Sequence, residues 1–501
     1  MDAEPIHWSF HIPTIAIPLL DLFIRLSLSV RVIMRQRPYG VTLAWLIVIL
    51  LLPFLGAIIY LFFGENRIGE KRAQRAERSI DHYRLWLESL HDIAPVDWSG
   101  LPPELGPIHH QAKNLIGIPA MGGNQMELIE DPERIMRFII SDIDKAESTC
   151  HMQFYIWHEG GTADEVVAAL VRATKRGVSC RILIDSIGSN DFLKGKKIKE
   201  LRGAGVQVEE ALPAGFIKAL FVRVDIRNHR KIVVIDGKIA YTGSQNMVDP
   251  HFFKQEAGVG RWVDLMVRIK GPVVESLAGT FISDWFLETD AEGVQFHSLE
   301  EDIKHIRAIA DIHHQPGVGD IPVQLVPSGP GFVPESIHNL LLTTIYAARK
   351  NITLTSPYFV PDEPILTALQ SAAQRGVDVR LILPEKNDSR LVHYASRARF
   401  ENLLKNGVKI KLFYGGLLHS KTITVDDEFA LFGSVNLDMR SFWLNFEATL
   451  FIYNSQFTGA LRAIQSSYES QARSLLADDI TEHSPFERFR DNLALLIGPL
   501  L

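Results

Sequence analysis

Two short stretches of the sequence carry the same pattern of chemically active side chains. In each stretch a histidine is followed by lysine at +2, aspartate at +7, Gly-Ser at +14 and +15, and asparagine at +17. Imidazole can attack electrophiles or exchange protons near neutral pH, and lysine and asparagine donate hydrogen bonds to anions. The pattern therefore indicates an anion-binding catalytic site that is built twice. Its members are His229, Lys231, Asp236, Ser244 and Asn246 in the first copy and His419, Lys421, Asp426, Ser434 and Asn436 in the second.

Each copy is expected to fold as a β-hairpin. Val, Ile and Thr dominate between the motif residues, and Asp236 is followed by glycine, which is a strong signal for a two-residue turn. Such a turn would place Ser244 opposite His229 and Asn246 near the same end, so that these side chains converge with Lys231. Asp236 would lie about 23 Å away along the strand, at about 3.3 Å per residue. The hairpin therefore favours a structural role for the aspartate of each copy.

The paired arrangement resembles the phospholipase D superfamily, whose mark is two copies of H-x-K-x(4)-D followed by G-S-x-N, and within it the bacterial cardiolipin synthases. The resemblance implies an α/β fold of two phospholipase D-like domains with pseudo-twofold symmetry, in which both motifs meet in one cleft. Strand and helix patterns repeat in the same order in both halves, as this fold requires. The predicted segments are a membrane anchor at 1–72, a connector at 73–105, domains at 106–289 and 320–480, a linker at 290–319 and an amphipathic tail at 481–501.

Two histidines that flank a phosphodiester suit a two-step displacement. The order usual in the family makes His229 the nucleophile that forms a phosphohistidine and His419 the acid and base. Lysine and asparagine from both motifs, together with the two serines, would bind the phosphate and neutralise its charge. We therefore expect no metal ion and no other cofactor. The family also counts Asp236 and Asp426 among its catalytic residues, although the hairpin favours an anchoring role.

Carboxylates in the strands that follow the motifs are candidates to orient the histidines. Asp264 follows the first motif and Glu447 follows the second. A nucleophilic imidazole needs an acceptor for its second ring nitrogen, and the family uses carboxylates at matching places. Ordinary ion pairs at the strand edges are an equally good interpretation of these two residues.

The N-terminal sequence predicts membrane segments. Residues 41–63 carry no charge over 23 positions, enough to cross about 30 Å as a helix. Residues 8–30 are interrupted by prolines and by Asp21 and Arg25, which stand four apart and could pair on one face. This stretch fits a second span or a re-entrant arm. The distribution of basic residues leans towards a cytoplasmic catalytic region, and the resemblance implies the inner membrane of a bacterium.

Two regions outside the motifs are open to two interpretations each. Residues 249–254, after the first motif, form an aromatic loop that either touches lipid or is a packed surface turn. The tail places Phe486, Phe489, Leu493 and Leu496 on one helical face, so it either lies on a bilayer or packs on the domain.

The resemblance predicts a phosphatidyltransferase that joins two phosphatidylglycerol molecules. The alternatives are a phospholipase D that uses water, a phosphodiester nuclease and an inactive membrane scaffold. The net charge of −7 gives a nucleic-acid partner no electrostatic help, and two intact motifs argue against a scaffold. The expected partners are therefore phosphatidylglycerol, other membrane lipids and the membrane itself, with no nucleic acid. The sequence does not determine the oligomeric state.

Overall fold

The computed structural model describes residues 11–35, 39–65, 67, 69–91, 93–213, 222–223, 225–289, 304, 306–308, 310–330, 335–481, 484–496 and 498. The chain divides into two compact units. One comprises Met1–Glu70 with Ala214–Ile226, and the other comprises Lys71–Pro213 with Arg227–Leu501.

The N-terminal unit contains helices α1 (His11–Met34), α2 (Tyr39–Leu51) and α3 (Leu55–Phe63). The single helix predicted for residues 41–63 is wrong, because the chain breaks at Pro53, whose ring prevents a regular helix from continuing. Phe54 adopts a positive φ of 53°, and its N–H donates to Asp21 at 2.8 Å. Asp21 also pairs with Arg25, as the spacing predicted. Among the described residues, no helix combines the length and apolar character needed to cross a membrane.

The larger unit contains two halves of similar construction. The first half is built from α4 (Glu70–Ser89), α5 (Leu105–Ile116), β1 (Met121–Ile129), α6 (Pro132–Asp144), β2 (Thr149–Phe154), α7 (Thr162–Lys175), β3 (Ser179–Asp185), α8 (Asn190–Lys194), α9 (Lys197–Gly203), β4 (Gln207–Ala211), β5 (Ile232–Ile235), β6 (Ile239–Gly243), β7 (Trp262–Val263), β8 (Met266–Lys270) and α10 (Val273–Glu288).

The second half repeats this order and adds C-terminal elements. It is built from β9 (Ile321–Ser328), α11 (Ser336–Ala347), β10 (Asn351–Thr355), β11 (Phe359–Val360), α12 (Glu363–Gln374), β12 (Asp378–Pro384), α13 (Arg390–Lys405), β13 (Lys409–Phe413), β14 (Leu417–Leu418), β15 (Thr422–Val425), β16 (Phe429–Gly433), β17 (Leu437–Asp438), α14 (Met439–Trp443), β18 (Glu447–Ile452), α15 (Ser455–Ser470), β19 (Ala472–Ser474), α16 (Ala477–Thr481) and α17 (Pro485–Leu496).

Strands from both halves form one 15-stranded sheet among the described residues, in the order β19-β13-β12-β10-β15-β16-β18-β9-β1-β8-β6-β5-β2-β3-β4. Outward from the central β9–β1 pair, the order on one side repeats the order on the other, with β18 matching β8, β16 matching β6 and β15 matching β5. The mixed α/β fold of two domains is thus confirmed, and the strand order has the twofold repetition that a duplicated sequence predicts.

The two motif hairpins have the same register, which differs from the predicted one by one residue. Ile232 pairs with Thr242 and Ile235 with Ile239, so three residues rather than two connect the strands. Asp236 and the following glycine both have positive φ, at 51° and 58°. The second hairpin pairs Val425 with Phe429 across a loop of equal length. The predicted pairing of residue 229 with residue 244 is therefore wrong.

A hydrophobic core shared by both halves holds the two hairpins in fixed relation. Val234 of β5 and Val267 of β8 belong to the same buried cluster as Val323 of β9 and Leu450 of β18. Burial of apolar surface contributes roughly 25 cal/mol per Å², so a core that spans the boundary makes the halves one body. Cys150 and Cys180 are buried free thiols.

Candidate active site

Both histidine motifs open into one cavity of about 500 Å³, a size typical of small-ligand sites, which range from about 300 to 1,000 Å³. The first half contributes side chains that follow β2 and precede β5, and the second half contributes side chains from the ends of β14 and β16. The predicted convergence of the two motifs is thus present in the structure. Its motif members are His229, Lys231 and Asn246 from the first half and His419, Lys421 and Asn436 from the second.

Backbone hydrogen bonds connect each histidine to the opposite half. The N–H of His229 donates to the carbonyl of Phe446 at 2.8 Å, and the N–H of His419 donates to the carbonyl of Val263 at 2.8 Å. The short strand β14, which ends just before His419, pairs in parallel with β7 of the first half. Each motif is therefore positioned by a strand that belongs to the other motif's half.

The orienting carboxylates cross between the halves in the same way. Nδ1 of His419 lies 2.7 Å from Oδ1 of Asp264, and Nδ1 of His229 lies 3.2 Å from Oε1 of Glu447. A carboxylate at Nδ1 selects the tautomer with its proton on that nitrogen, and so leaves Nε2 for a substrate. Of the two interpretations that the sequence left open, the histidine contact is the one present.

The two serines contact the carboxylates rather than the cavity. The hydroxyl of Ser244 donates to Asp264 at 2.6 Å, and that of Ser434 donates to Glu447 at 2.6 Å. Both serines are buried. The serines were predicted to bind the phosphate. In the structure their hydroxyls point towards the neighbouring strand instead, because the hairpin register differs from the predicted one by one residue.

The lysines and asparagines lie where an anion would bind. Nζ of Lys231 donates to the carbonyl of His229 at 2.7 Å, and Nζ of Lys421 donates to the carbonyl of His419 at 2.5 Å. Each ammonium group is thereby fixed beside its histidine, with further N–H bonds to donate. Asn246 accepts the N–H of Ile156 at 3.1 Å through its side-chain oxygen, so its amide N–H group remains to serve as a donor.

The motif aspartates lie at the hairpin turns, outside the cavity. The carboxylate of Asp236 accepts the backbone N–H groups of residues 147, 148 and 149. That of Asp426 accepts those of residues 349, 350 and 351. Each aspartate therefore anchors its hairpin to the start of the adjacent antiparallel strand, which agrees with the structural role favoured by the hairpin.

Burial changes the protonation of the histidines and lysines. It lowers the pKa of His229 below its ordinary value and that of His419 to about 4, against the opposing influence of the nearby carboxylates. It also lowers the pKa of Lys231 to about 8 and that of Lys421 to about 7. Both imidazoles are thus neutral at neutral pH. A bound phosphodiester anion would favour the charged form of all four groups.

The two carboxylates remain ionised in spite of their burial. Burial raises the pKa of Asp264 and of Glu447, but the hydrogen-bonded histidines and the lysine ammonium groups outweigh it and hold both pKa values below the ordinary range. Two buried anions thus face the two lysine ammonium groups. An arriving phosphate adds negative charge that the lysines, histidine protonation and the Arg440 guanidinium in the cavity lining can compensate.

Several residues that line the cavity were not predicted from the sequence. The ring of Tyr155 packs 4.1 Å from that of His229, and the ring of Trp262 packs 4.4 Å from that of His419, measured between centroids. Asp438 also lines the cavity, and burial raises its pKa to about 6. A signal for Trp262 existed, since it stands two residues before Asp264 and so shares its strand face.

No group of three or more His, Cys, Asp or Glu side chains within the described ranges is arranged to hold a metal ion. The charged groups around the two motifs are instead two buried acid–imidazole pairs and two lysines, and Arg440 adds a further cation to the cavity lining. Such a donor set suits an anionic ligand held by ammonium groups.

Comparison with known proteins extends the likeness to the whole chain. Residues 139–285 and 341–467 match the family described as cardiolipin synthase, phospholipase D-like domain, and residues 25–65 match the phospholipase D-nuclease N-terminal family. Cardiolipin synthase A of Pectobacterium carotovorum subsp. carotovorum is 41 % identical over 475 residues, which cover 95 % of this chain and 96 % of the relative. That of Citrobacter koseri is 42 % identical with the same coverage.

One solved structure shares the fold. The phosphatidylserine synthase of Haemophilus influenzae superposes with a TM-score of 0.59 at 15 % identity, covering 79 % of this chain and all of that one. Its identity is too low to carry more than architecture. The family match across both halves and the relatives at 41–42 % identity along nearly the full length confirm the predicted relationship: this chain belongs to the cardiolipin synthase family of the phospholipase D superfamily.

Proposed function

We propose that this protein is a membrane-anchored phosphatidyltransferase that joins two phosphatidylglycerol molecules into cardiolipin and releases glycerol. One observation carries the proposal. Two histidines share a cavity, each has its Nδ1 held by a carboxylate of the opposite half, and each leaves Nε2 for a phosphodiester between them. The family membership supports the choice of substrate.

The first step forms a phosphohistidine. Nε2 of His229 attacks the phosphorus of one phosphatidylglycerol, a P–N bond forms, and the P–O bond to the glycerol headgroup breaks. His419 in its protonated form gives its proton to the departing glycerol oxygen. Lys231 and Lys421 donate to the non-bridging oxygens, where their charge opposes the charge that gathers in the transition state.

The second step transfers the phosphatidyl group. His419, now neutral, takes the proton from a glycerol hydroxyl of a second phosphatidylglycerol, whose oxygen attacks phosphorus. The P–N bond breaks, His229 is regenerated and cardiolipin leaves. One phosphodiester is broken and one is made, so the overall reaction is nearly balanced in free energy and excess glycerol drives it backwards.

The surroundings of the histidines support this division of roles. His419 forms the shorter carboxylate contact, at 2.7 Å, and a short charge-assisted hydrogen bond favours the imidazolium that an acid must carry. Burial opposes this and lowers the pKa of His419 to about 4, so the bound phosphodiester anion must supply the rest of the stabilisation. The side chain of His229 is 17 % exposed, whereas that of His419 is 8 % exposed. The more accessible imidazole is the better placed to form a bond to phosphorus.

The proposed location is the inner membrane of a bacterium, with the larger unit on the cytoplasmic side. The apolar N-terminal segments support the anchor, since large hydrophobic side chains along α1 and α2 are exposed, among them Phe23, Leu43 and Ile47. Anchoring keeps the cavity beside lipid hydroxyls, and a held acceptor gains several kcal/mol of effective concentration over one that arrives from bulk solvent.

The test is product analysis with purified protein in bilayers that contain phosphatidylglycerol. We expect cardiolipin and free glycerol in equal amounts, and added glycerol should reduce the yield of cardiolipin. Phosphatidic acid as the dominant product, with no effect of glycerol, would replace the transferase with a phospholipase.

A further inference from the structure

We infer that helix α17 and the mouth of the cavity form a docking surface for the bilayer on the catalytic unit itself. The inference rests on the proposed lipid substrate and adds a contact beyond the N-terminal anchor. Its components are the outer face of α17 and the exposed apolar side chains around the cavity mouth, Ile187, Phe252 and Leu391, together termed the docking surface.

Helix α17 has apolar side chains on both its exposed face and its buried face. Four large side chains on its outer face are between 53 % and 78 % exposed, namely Phe486, Phe489, Leu493 and Leu496. Their spacing of three and four residues places them on one side of the helix. Asp491 and Ala494, on the opposite side, are buried. The inner face therefore packs on the domain, and the bilayer interpretation of the tail remains a prediction for the outer face.

The inner face fixes the helix, and hence the direction of the outer face. Asp491 pairs with Arg397 of α13 at 3.1 Å, and the guanidinium of Arg490 lies 4.0 Å from the ring centroid of Tyr394. Ala494 packs in a buried cluster with Val392 of α13. A helix held by an ion pair, a cation–π contact and apolar packing presents its four outer side chains in one constant direction.

The same buried cluster connects α17 to the cavity. Val392 lies in the cluster and Tyr358 packs against it, and both side chains also line the cavity. A single layer of side chains thus separates the inner face of α17 from the catalytic cavity. Whatever the outer face binds is held close to the cavity mouth.

Exposed apolar side chains also occur in the segments that line the cavity. Ile187, Phe252 and Leu391 are between 47 % and 60 % exposed. Ile187 lines the cavity, while Phe252 and Leu391 are sequence neighbours of the lining residues Phe253 and Val392. Both halves of the catalytic unit therefore carry exposed apolar side chains in cavity-lining segments, and the aromatic loop after the first motif is one of these segments.

Basic side chains accompany this apolar surface. Lys386 and Arg390 stand within two residues of the lining residues Asp388 and Ser389 in the sequence, and Arg488 lies on α17; all three side chains are exposed. Aromatic and aliphatic side chains with basic neighbours are the composition that binds the interface of an anionic bilayer. A bilayer is the occupant that fits best, because a lipid phosphodiester must leave it to reach His229.

Depth-dependent quenching tests the docking directly. Since Cys150 and Cys180 are buried, a cysteine introduced by Phe489→Cys can be labelled selectively in the full-length protein. In phosphatidylglycerol bilayers with brominated acyl chains, we expect quenching of a fluorophore at 489 about threefold stronger than at the exposed control Val318→Cys. Equal quenching at the two positions would overturn the inference.

A kinetic test separates docking from chemistry. We expect Phe489→Glu combined with Leu493→Glu to lower turnover of bilayer phosphatidylglycerol about tenfold, while turnover of dispersed dihexanoyl phosphatidylglycerol stays unchanged. Val318→Glu should affect neither substrate. Equal losses on both substrates would overturn the inference. It would also be overturned if the wild type showed no lipid quenching and were a dimer that the double variant converts to a monomer, because the outer face would then bind a second copy of the chain. Failure of the proposed function can be distinguished from failure of the docking inference. The first changes the product that the wild type forms, whereas the second changes the quenching.

Discussion

The two halves surround their histidines differently. The residue two positions before Glu447 is Asn445, whose amide lies 3.3 Å from both Nδ1 of His229 and the Glu447 carboxylate. The corresponding residue before Asp264 is Trp262, whose ring packs on His419. The carboxylate of His229 is thus also contacted by the amide of Asn445, whereas the indole of Trp262 takes the corresponding position beside His419. A serine hydroxyl donates to the carboxylate in both halves, and an aromatic ring packs on each histidine. The lysines likewise contact the same backbone carbonyl in both halves.

The features that the two copies share can be separated from the features in which they differ. Features that bind phosphate or anchor the hairpins are alike in both copies, since a phosphate between two equal halves is approached equally from each. Features that set the proton affinity and access of an imidazole have diverged, since nucleophile and acid need different surroundings. In the proposed mechanism, the side chains around Nδ1 are therefore the ones that distinguish the nucleophile from the acid.

Removal of either imidazole is expected to have the largest effect. His229→Ala and His419→Ala should each lower phosphatidyl transfer by roughly ten thousandfold or more, because each side chain acts in both steps. His110→Ala, at an exposed position on α5, is the matched control and should retain full activity. Substantial transfer by either cavity variant in a steady-state assay would contradict a site that needs both halves.

The crossed carboxylates should separate the two roles. Asp264→Asn disables the acid His419, and Glu447→Gln disables the nucleophile His229, each at a cost of roughly a hundred- to ten-thousandfold in turnover. With a p-nitrophenyl phosphodiester, whose leaving group needs no proton, single-turnover release should recover in Asp264→Asn and remain slow in Glu447→Gln. Recovery in Glu447→Gln but not in Asp264→Asn would show one of two things. Either Glu447 orients His419 and Asp264 orients His229, or His419 is the nucleophile and His229 the acid.

The sequence predicted the parts of this site better than their connections. The convergence of both motifs in one cleft followed from the duplicated sequence and the family resemblance, and strand alternation placed His229 with Lys231. The crossing of Asp264 to His419 did not follow, because it depends on how two halves pack, and periodicity within one half contains no such information. Ser244 was misplaced because the turn contains three residues rather than two, so it does not lie opposite His229; Asn246 still reaches the cavity because it lies beyond the end of β6.

The pH dependence of kcat/KM reports the free enzyme and should have two limbs. Phosphate binding needs protonated lysines, whose pKa values lie at about 8 for Lys231 and about 7 for Lys421, and the first step needs protonated His419, whose pKa in the free enzyme is about 4. Activity should therefore decline as pH rises above the pKa of His419 and decline more steeply through the range of the lysines, by up to tenfold per unit for each group. The acid limb should lie below about 6.5, because the pKa of His229 is lowered from its ordinary value. Lys421→Arg should move the alkaline limb upwards, since guanidinium does not titrate there; an unchanged alkaline limb would exclude Lys421 from phosphate binding.

The motif aspartates should affect stability far more than chemistry. Asp236→Asn and Asp426→Asn each weaken an acceptor of three backbone N–H groups, and we expect losses of about 1–3 kcal/mol in the free energy of unfolding. Burial raises the pKa of Asp236, but the N–H groups of residues 147–149 outweigh it and lower the pKa overall. Its contribution is therefore present above the unfolded pKa and is lost as pH falls through the folded one. Denaturant titration should show these losses with little change in kcat per folded molecule; a large fall in kcat without destabilisation would return the aspartates to the reaction itself.

The most direct test of the whole account is to trap the intermediate. Full-length protein in bilayers is mixed briefly with phosphatidylglycerol labelled at its phosphorus, quenched under conditions that preserve phosphohistidine, digested and mapped. The account predicts label on the peptide that contains His229, none in His229→Ala, and retention of label on His229 in His419→Ala when the leaving group is p-nitrophenolate. Label on His419 in the wild type would reverse the two roles, and the absence of any labelled histidine during active turnover would contradict the covalent mechanism.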